Sequence, residues 1–187
     1  MRYPERRFTM KGAVSGEAGT FFGSSLGRYS KLNGDLDSRW LPQSRGDDYE
    51  THIRLRSGGT FGNVPLDELY VLGFDRDTDL WMRGHPGLAG GEKGNAPLGR
   101  EYALVNSEVD KIVYRAPFVT FRVGPFLDSG KVADPSGYFG SPKWMSDTGA
   151  QLKIRVLGSL EFVLGYGKDL RSGKNSFFTT VLPPGDN

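Results

Sequence analysis

Along most of the chain, apolar and polar residues alternate at period two, in stretches closed off by clusters of Gly, Pro, Asp and Asn. Such alternation marks strands with one apolar face, separated by turns. Eight segments of this kind can be read. The first, about 6–15, alternates Phe8, Met10 and Val14 with Thr9, Lys11 and Ser15. The second, about 27–41, sets Leu32, Leu36 and Trp40 against Lys31, Asn33, Asp35, Asp37 and Arg39, and the third, about 48–61, sets Ile53 and Leu55 against His52, Arg54 and Arg56. From Gly62 to Leu98 the alternation stops, in a segment rich in Gly, Pro and Asp. A loop of that length in a compact protein is usually functional or disordered. Alternation resumes at about 100–114, where Val105, Val109 and Val113 oppose Asn106, Glu108 and Asp110. It is clearest at 117–132, where Val119, Phe121, Val123 and Leu127 oppose Thr120, Arg122, Gly124, Phe126 and Asp128. Segments at 148–157, 160–169 and 175–182 complete the set, and Pro183-Pro184 ends it.

The pattern is all-β and antiparallel, and taken alone it fits a soluble β-sandwich or a barrel. Two features favour a transmembrane β-barrel. The segments approach the ~9 to 11 residues a tilted strand needs to cross a bilayer, and their polar faces carry charges beside Gly, as a water-filled or plugged lumen would.

Composition narrows the classes further. The 27 Gly among 187 residues are about twice the usual ~7% share and argue against a helix bundle. No run reaches the ~18 to 20 apolar residues of a membrane-spanning helix. With 24 Lys and Arg scattered among 22 Asp and Glu, nucleic-acid binding gains no support. Without Cys there are no disulfides and no thiolate chemistry, and His52 and His85 alone cannot build a multi-histidine metal site. The opening Met1-Arg2-Tyr3-Pro4-Glu5-Arg6-Arg7 lacks the apolar stretch and cleavage site of a secretory signal. The expectation is that the protein stays inside the cell or that Met1 is not its native start.

Other motifs are weak. Gly23-Ser24-Ser25-Leu26-Gly27 has the spacing of a nucleophile elbow but joins two strands rather than a strand and a helix, so a hairpin turn is the better reading. Asp75-Arg76-Asp77-Thr78-Asp79 has the alternate carboxylates of a calcium loop, but Leu80 stands at the turn glycine and Pro86 at the bidentate Glu. Gly165-x-Gly167 lacks the rest of a dinucleotide fingerprint. Trp40, near a strand end, suits an interfacial aromatic belt.

The long loop holds Pro65-Leu66-Asp67-Glu68-Leu69-Tyr70-Val71-Leu72-Gly73 and then Leu80-Trp81-Met82-Arg83-Gly84-His85. Phe126-Leu127-Asp128-Ser129-Gly130 follows, and Tyr166-Gly167-Lys168-Asp169-Leu170-Arg171-Ser172-Gly173 comes near the end. In this order the motifs resemble the C-terminal barrel of the BamA/TamA-type outer-membrane assembly superfamily, the bacterial surface antigen family, over nearly the whole chain from about residue 27. His85 stands where that family has Phe or Tyr, and Gly73-Phe74 replaces a double glycine.

The resemblance implies a non-enzymatic protein of the bacterial outer membrane that assists insertion or translocation of other polypeptides, with no cofactor. It implies that 1–187 is a single barrel domain fragment, eight strands that are half of a sixteen-strand cylinder, with loop 62–98 folding inward between the third and fourth strands. Arg83 and Gly84 would tether the loop to Glu108 and Asp128, with His85, Phe126 and Gly130 in the accompanying motifs. The strand bearing Phe177 and Phe178 would form one side of the seam. The implied partners are outer-membrane lipid, client polypeptides, and the complementary N-terminal half or periplasmic repeats. Two other readings are the barrel anchor and export domain of a patatin-like phospholipase and a soluble β-sandwich binding module.

Overall fold

The structure, a computed structural model, describes residues 7–22, 26–43, 46–73, 80–85, 88–89, 92–93, 97–135, 137–138, 140–141 and 143–182. The acidic run 75–79, residues 23–25 of the elbow-like motif, Pro86, the opening 1–6 and Pro183-Pro184 lie outside them.

Eight strands form one antiparallel sheet in chain order: β1 (Phe8–Phe22), β2 (Leu26–Trp40), β3 (Tyr49–Gly62), β4 (Glu101–Arg115), β5 (Val119–Ala133), β6 (Met145–Val156), β7 (Leu160–Asp169) and β8 (Asn175–Leu182). Each strand pairs with its neighbour in sequence, and β1 and β8 are the two edges. The chain thus closes no barrel by itself. Among the described residues no second sheet of comparable size faces it, so the two-layer arrangement of a sandwich is not formed. The β6–β7 turn is tight, with Leu157 and Gly158 at φ +52° and +70° and the Ser159 N–H donating to the Val156 carbonyl. Two central residues at positive φ are what a twist-matched hairpin requires.

Two expected strand boundaries are corrected, and the long loop has local structure of its own. β1 runs on to Phe22 rather than stopping near 15, because the backbone keeps pairing with β2 through Gly16–Thr20, whose small or polar side chains carry no apolar alternation, and on to Phe21 and Phe22. β6 starts at Met145 rather than 148. The 62–98 segment contains a short 3₁₀ turn (Leu66–Glu68), a two-residue ladder of Tyr70–Val71 with Leu98–Gly99, and another of Leu88–Ala89 with Glu92–Lys93.

Burial on the sheet is inverted relative to a water-soluble layer. On one face, cross-strand rows of apolar side chains lie open: Leu36 beside Leu55 and Val105, Val123 beside Leu152 and Leu164, and Phe121 beside Ile154, Phe162 and Val181. Phe8, Met10, Val14, Trp40 and Phe177 extend this bare face to both edges, each about half or more exposed. The opposite face is covered by the long loop and buries Arg56, Asp110, Arg122, Asp128, Asp147, Lys153, Glu161 and Asp169.

The loop docks through an apolar cluster. Tyr70, Leu72, Leu80 and Met82 pack on Tyr102 and Leu104 of β4, Val132 of β5 and Met145 of β6. Leu72 and Met82 are fully buried. Gly130 is the floor beneath them: a Cβ there would lie 2.9 Å from Leu72 Cδ1 and 3.2 Å from Met82 Sδ. The Tyr70 hydroxyl donates to Asn33 Oδ1 at 2.8 Å, and its ring tilts against Tyr102 with centroids 4.5 Å apart. Together these contacts bring Arg83 over the middle of the sheet.

Candidate functional site: the loop on its acidic rung

Register places six polar residues in one row across six strands: Asp37, Arg54, Asn106, Asp128, Asp147 and Asp169. The last three form an acidic rung on adjacent strands β5, β6 and β7. Directly opposed like charges repel, so the rung needs counter-charges, and Arg83-Gly84-His85 supplies them.

Arg83 grips the first carboxylate. Its Nε donates to Asp128 Oδ2 at 2.9 Å and its Nη2 to Asp128 Oδ1 at 2.6 Å, a two-pronged pairing to which the Arg83 backbone N–H adds a third bond at 2.9 Å. The remaining prong, Nη1, donates to Glu108 Oε2 at 2.6 Å and Gln151 Oε1 at 2.9 Å. The guanidinium carbon lies 4.0 Å from the centroid of the Phe126 ring. A planar fork satisfied on its edges and stacked on its face is a geometry that lysine cannot reproduce. Burial opposes the charge, but the Asp128 hydrogen bonds and the carboxylates of Asp128 and Glu108 hold the Arg83 pKa above its ordinary value.

The Gly84 N–H donates to Asp147 Oδ2 at 2.8 Å. A side chain is excluded at this point, because a Cβ would stand 2.8 Å from Asp147 Cγ and 2.9 Å from the Lys168 carbonyl carbon. His85 then spans the last two carboxylates, with Nδ1 hydrogen-bonded to Asp147 Oδ1 and Nε2 3.2 Å from Asp169 Oδ2. The Ser176 hydroxyl of β8 donates to the Arg83 carbonyl at 2.8 Å. Five strands, β4 to β8, therefore hold three loop residues.

Gly167 of β7 makes this approach possible: a Cβ there would sit 2.6 Å from the Arg83 oxygen and 2.9 Å from Gly84 Cα. Both neighbours are backbone and cannot swing aside. Gly167→Ala is expected to weaken loop docking by about 1–3 kcal/mol, the usual cost of overpacking, while β7 still pairs. Faster protease cleavage within 62–98, with unchanged far-ultraviolet circular dichroism, is the result that checks this.

A second layer of charge surrounds the first. The Lys153 ammonium bonds Glu108 and lies 2.7 Å from Asp110 Oδ2, and Gln151 Nε2 donates to Glu108 Oε2 at 2.7 Å. His52 Nε2 lies 2.6 Å from Asp37 Oδ2 and its Nδ1 lies 3.6 Å from Glu108 Oε1. Arg39 forks onto Glu50 at 2.7 and 2.9 Å.

Of the residues expected from the sequence, Arg83, Gly84, Glu108, Asp128 and Phe126 meet at one place, His85 adjoins it, and Gly130 lies beneath the apolar cluster. Phe177 and Phe178 part company. Phe178 is buried on the loop face with Phe126 and Val163, its ring centroid 6.0 Å from that of Phe126. Phe177 is 83% exposed on the bare face, against Tyr166. Asp147, Asp169, Gln151, Lys153 and Ser176 were not singled out in the sequence. Period-two parity carries a signal for the first four, since Asp147, Gln151 and Lys153 share one face of β6 and Asp169 shares a face with Gly165 and Gly167.

No protein-family model, curated protein or solved structure matches this chain.

Proposed function

We propose that this chain is part of an outer-membrane β-barrel of the BamA/TamA surface-antigen type, non-enzymatic, that helps insert or translocate other polypeptides. The observation that carries the reading is the inverted sheet: apolar rows on the bare face and buried charges on the loop face. In water, each of those Leu, Ile, Val and Phe side chains forgoes about 1.5–3 kcal/mol of burial. Against lipid they are at home, and the charged face becomes a barrel lumen occupied by the loop. Two open edges in a bilayer leave backbone groups unsatisfied at several kcal/mol each, so β1 and β8 are completed by further strands of the barrel. β8 supplies one side of the seam where the barrel's last strand meets its first, and an extended client adds a strand by opening that seam.

Refolding into lipid vesicles tests both levels. The protein is expected to remain with the vesicles through alkaline carbonate washing, and release by the wash would overturn the membrane assignment. Vesicles containing it are expected to fold a small, unrelated outer-membrane barrel several times faster than empty vesicles. Equal rates would overturn the assembly role and leave the membrane assignment standing.

A further inference from the structure

We propose that His85 is a pH-sensitive latch, whose protonated ring fastens the loop to β6 and β7 and whose deprotonation loosens it, independently of the Arg83 tether. The geometry is that of an imidazolium donating twice. Nδ1 meets Asp147 and Nε2 faces Asp169, and both carboxylates are buried on the loop face. A neutral imidazole has one N–H and can satisfy only one of them.

The three side chains also offer ligand atoms within 4.8 Å of one another. A metal ion would need one ring nitrogen and both carboxylates converging on a point, whereas the two nitrogens here point to opposite sides, each at its own carboxylate. The carboxylates have other donors besides: Asp147 takes the Gly84 N–H, and Asp169 takes the Arg171 N–H at 2.7 Å and the Ser172 hydroxyl. The arrangement fits a proton better than an ion.

The charges around His85 are Asp147 from β6, Asp169 from β7, Arg171 from the β7–β8 turn, and Arg83 of its own loop, itself paired to Asp128 of β5 and Glu108 of β4. β8 contributes the uncharged Ser176. Burial lowers the His85 pKa and Arg171 opposes its charge, but the hydrogen bond to Asp147 and the charges of Asp147 and Asp169 prevail and raise it above the ordinary 6.5. The sign follows from linkage. A group whose pKa is raised by folding lends its full stabilisation below the unfolded value and loses it as pH rises through the folded value. The latch is therefore closed in acid and opens toward alkaline pH.

The chain has two histidines, which makes the test clean. Thermolysin cleavage within 62–98 is followed in detergent micelles from about pH 6 to about pH 9, normalised to an unfolded reference peptide. In the wild type, cleavage is expected to rise about tenfold across the His85 titration, the scale of a hydrogen bond to a charged group. His85→Gln, which keeps a donor and removes the proton, is expected to give a flat profile. His52→Gln is expected to keep the rise, as is the wild type with a chelator that spares the protease's own metal. A flat wild-type profile, a rise that survives in His85→Gln, or one abolished by His52→Gln or by chelation overturns the latch. The inference rests on loop geometry alone, so it stands or falls apart from the membrane reading.

Discussion

Replacing Arg83 with alanine is expected to free the loop while the sheet stays folded. Asp128 is fully buried and receives two of the guanidinium's bonds, and Glu108 and Gln151 receive two more. Removing one partner of a buried ion pair typically costs about 3–5 kcal/mol, because the remaining charge is stranded. Each 1.4 kcal/mol is a factor of ten, so the open loop should become at least about a hundredfold more populated. Cleavage within 62–98 by a protease that does not depend on basic residues is the direct readout, and folding assistance in vesicles should fall with it. Arg83→Lys should recover only part of the protection, since a point charge cannot bridge Asp128 and Glu108 in a fixed plane. A loop in Arg83→Ala as well protected as in the wild type would falsify the tether.

The second large effect concerns the opposite face. Leu164 sits mid-strand in β7 between Leu152 and Thr179 and is 43% exposed. If that face met water, Leu164→Arg would change stability by no more than about 0.5 kcal/mol. Against the middle of a bilayer the same change is expected to cost about 2–4 kcal/mol. Urea titration of wild type and variant in vesicles separates the two cases. Indistinguishable midpoints would remove the lipid from the bare face and the membrane reading with it.

How much of this was legible in the sequence depended on whether a side chain announces itself by period. Glu108 and Asp128 fell on polar faces because Val105, Val109, Val123 and Leu127 fix the parity of their strands. β7 and β8 lie where alternation placed them, at 160–169 and 175–182. Gly16, Ala18 and Gly19 gave the far half of β1 no parity to show, although its backbone pairs as far as Phe22. Asp147 was lost to a start set three residues late, after a stretch broken by Pro142. The loop's buried Leu72, Leu80 and Met82 could not be ranked in advance. Their burial comes from convergence on Tyr102, Leu104 and Val132, and no local spacing encodes it.

The acidic rung also sets an order of events. When β5, β6 and β7 pair, Asp128, Asp147 and Asp169 come side by side on neighbouring strands, roughly 5 Å apart. The cationic partners lie far back in the chain, Arg83 at 45 residues from Asp128 and His85 at 62 from Asp147. Hairpin zippering alone therefore builds up repulsion that the cationic residues of a distant segment relieve. The loop acts as a counter-ion carried by the chain itself, and long closures of this kind are slow. Folding of the C-terminal strands is expected to wait on its arrival, so the loop takes part in assembling the very sheet it covers.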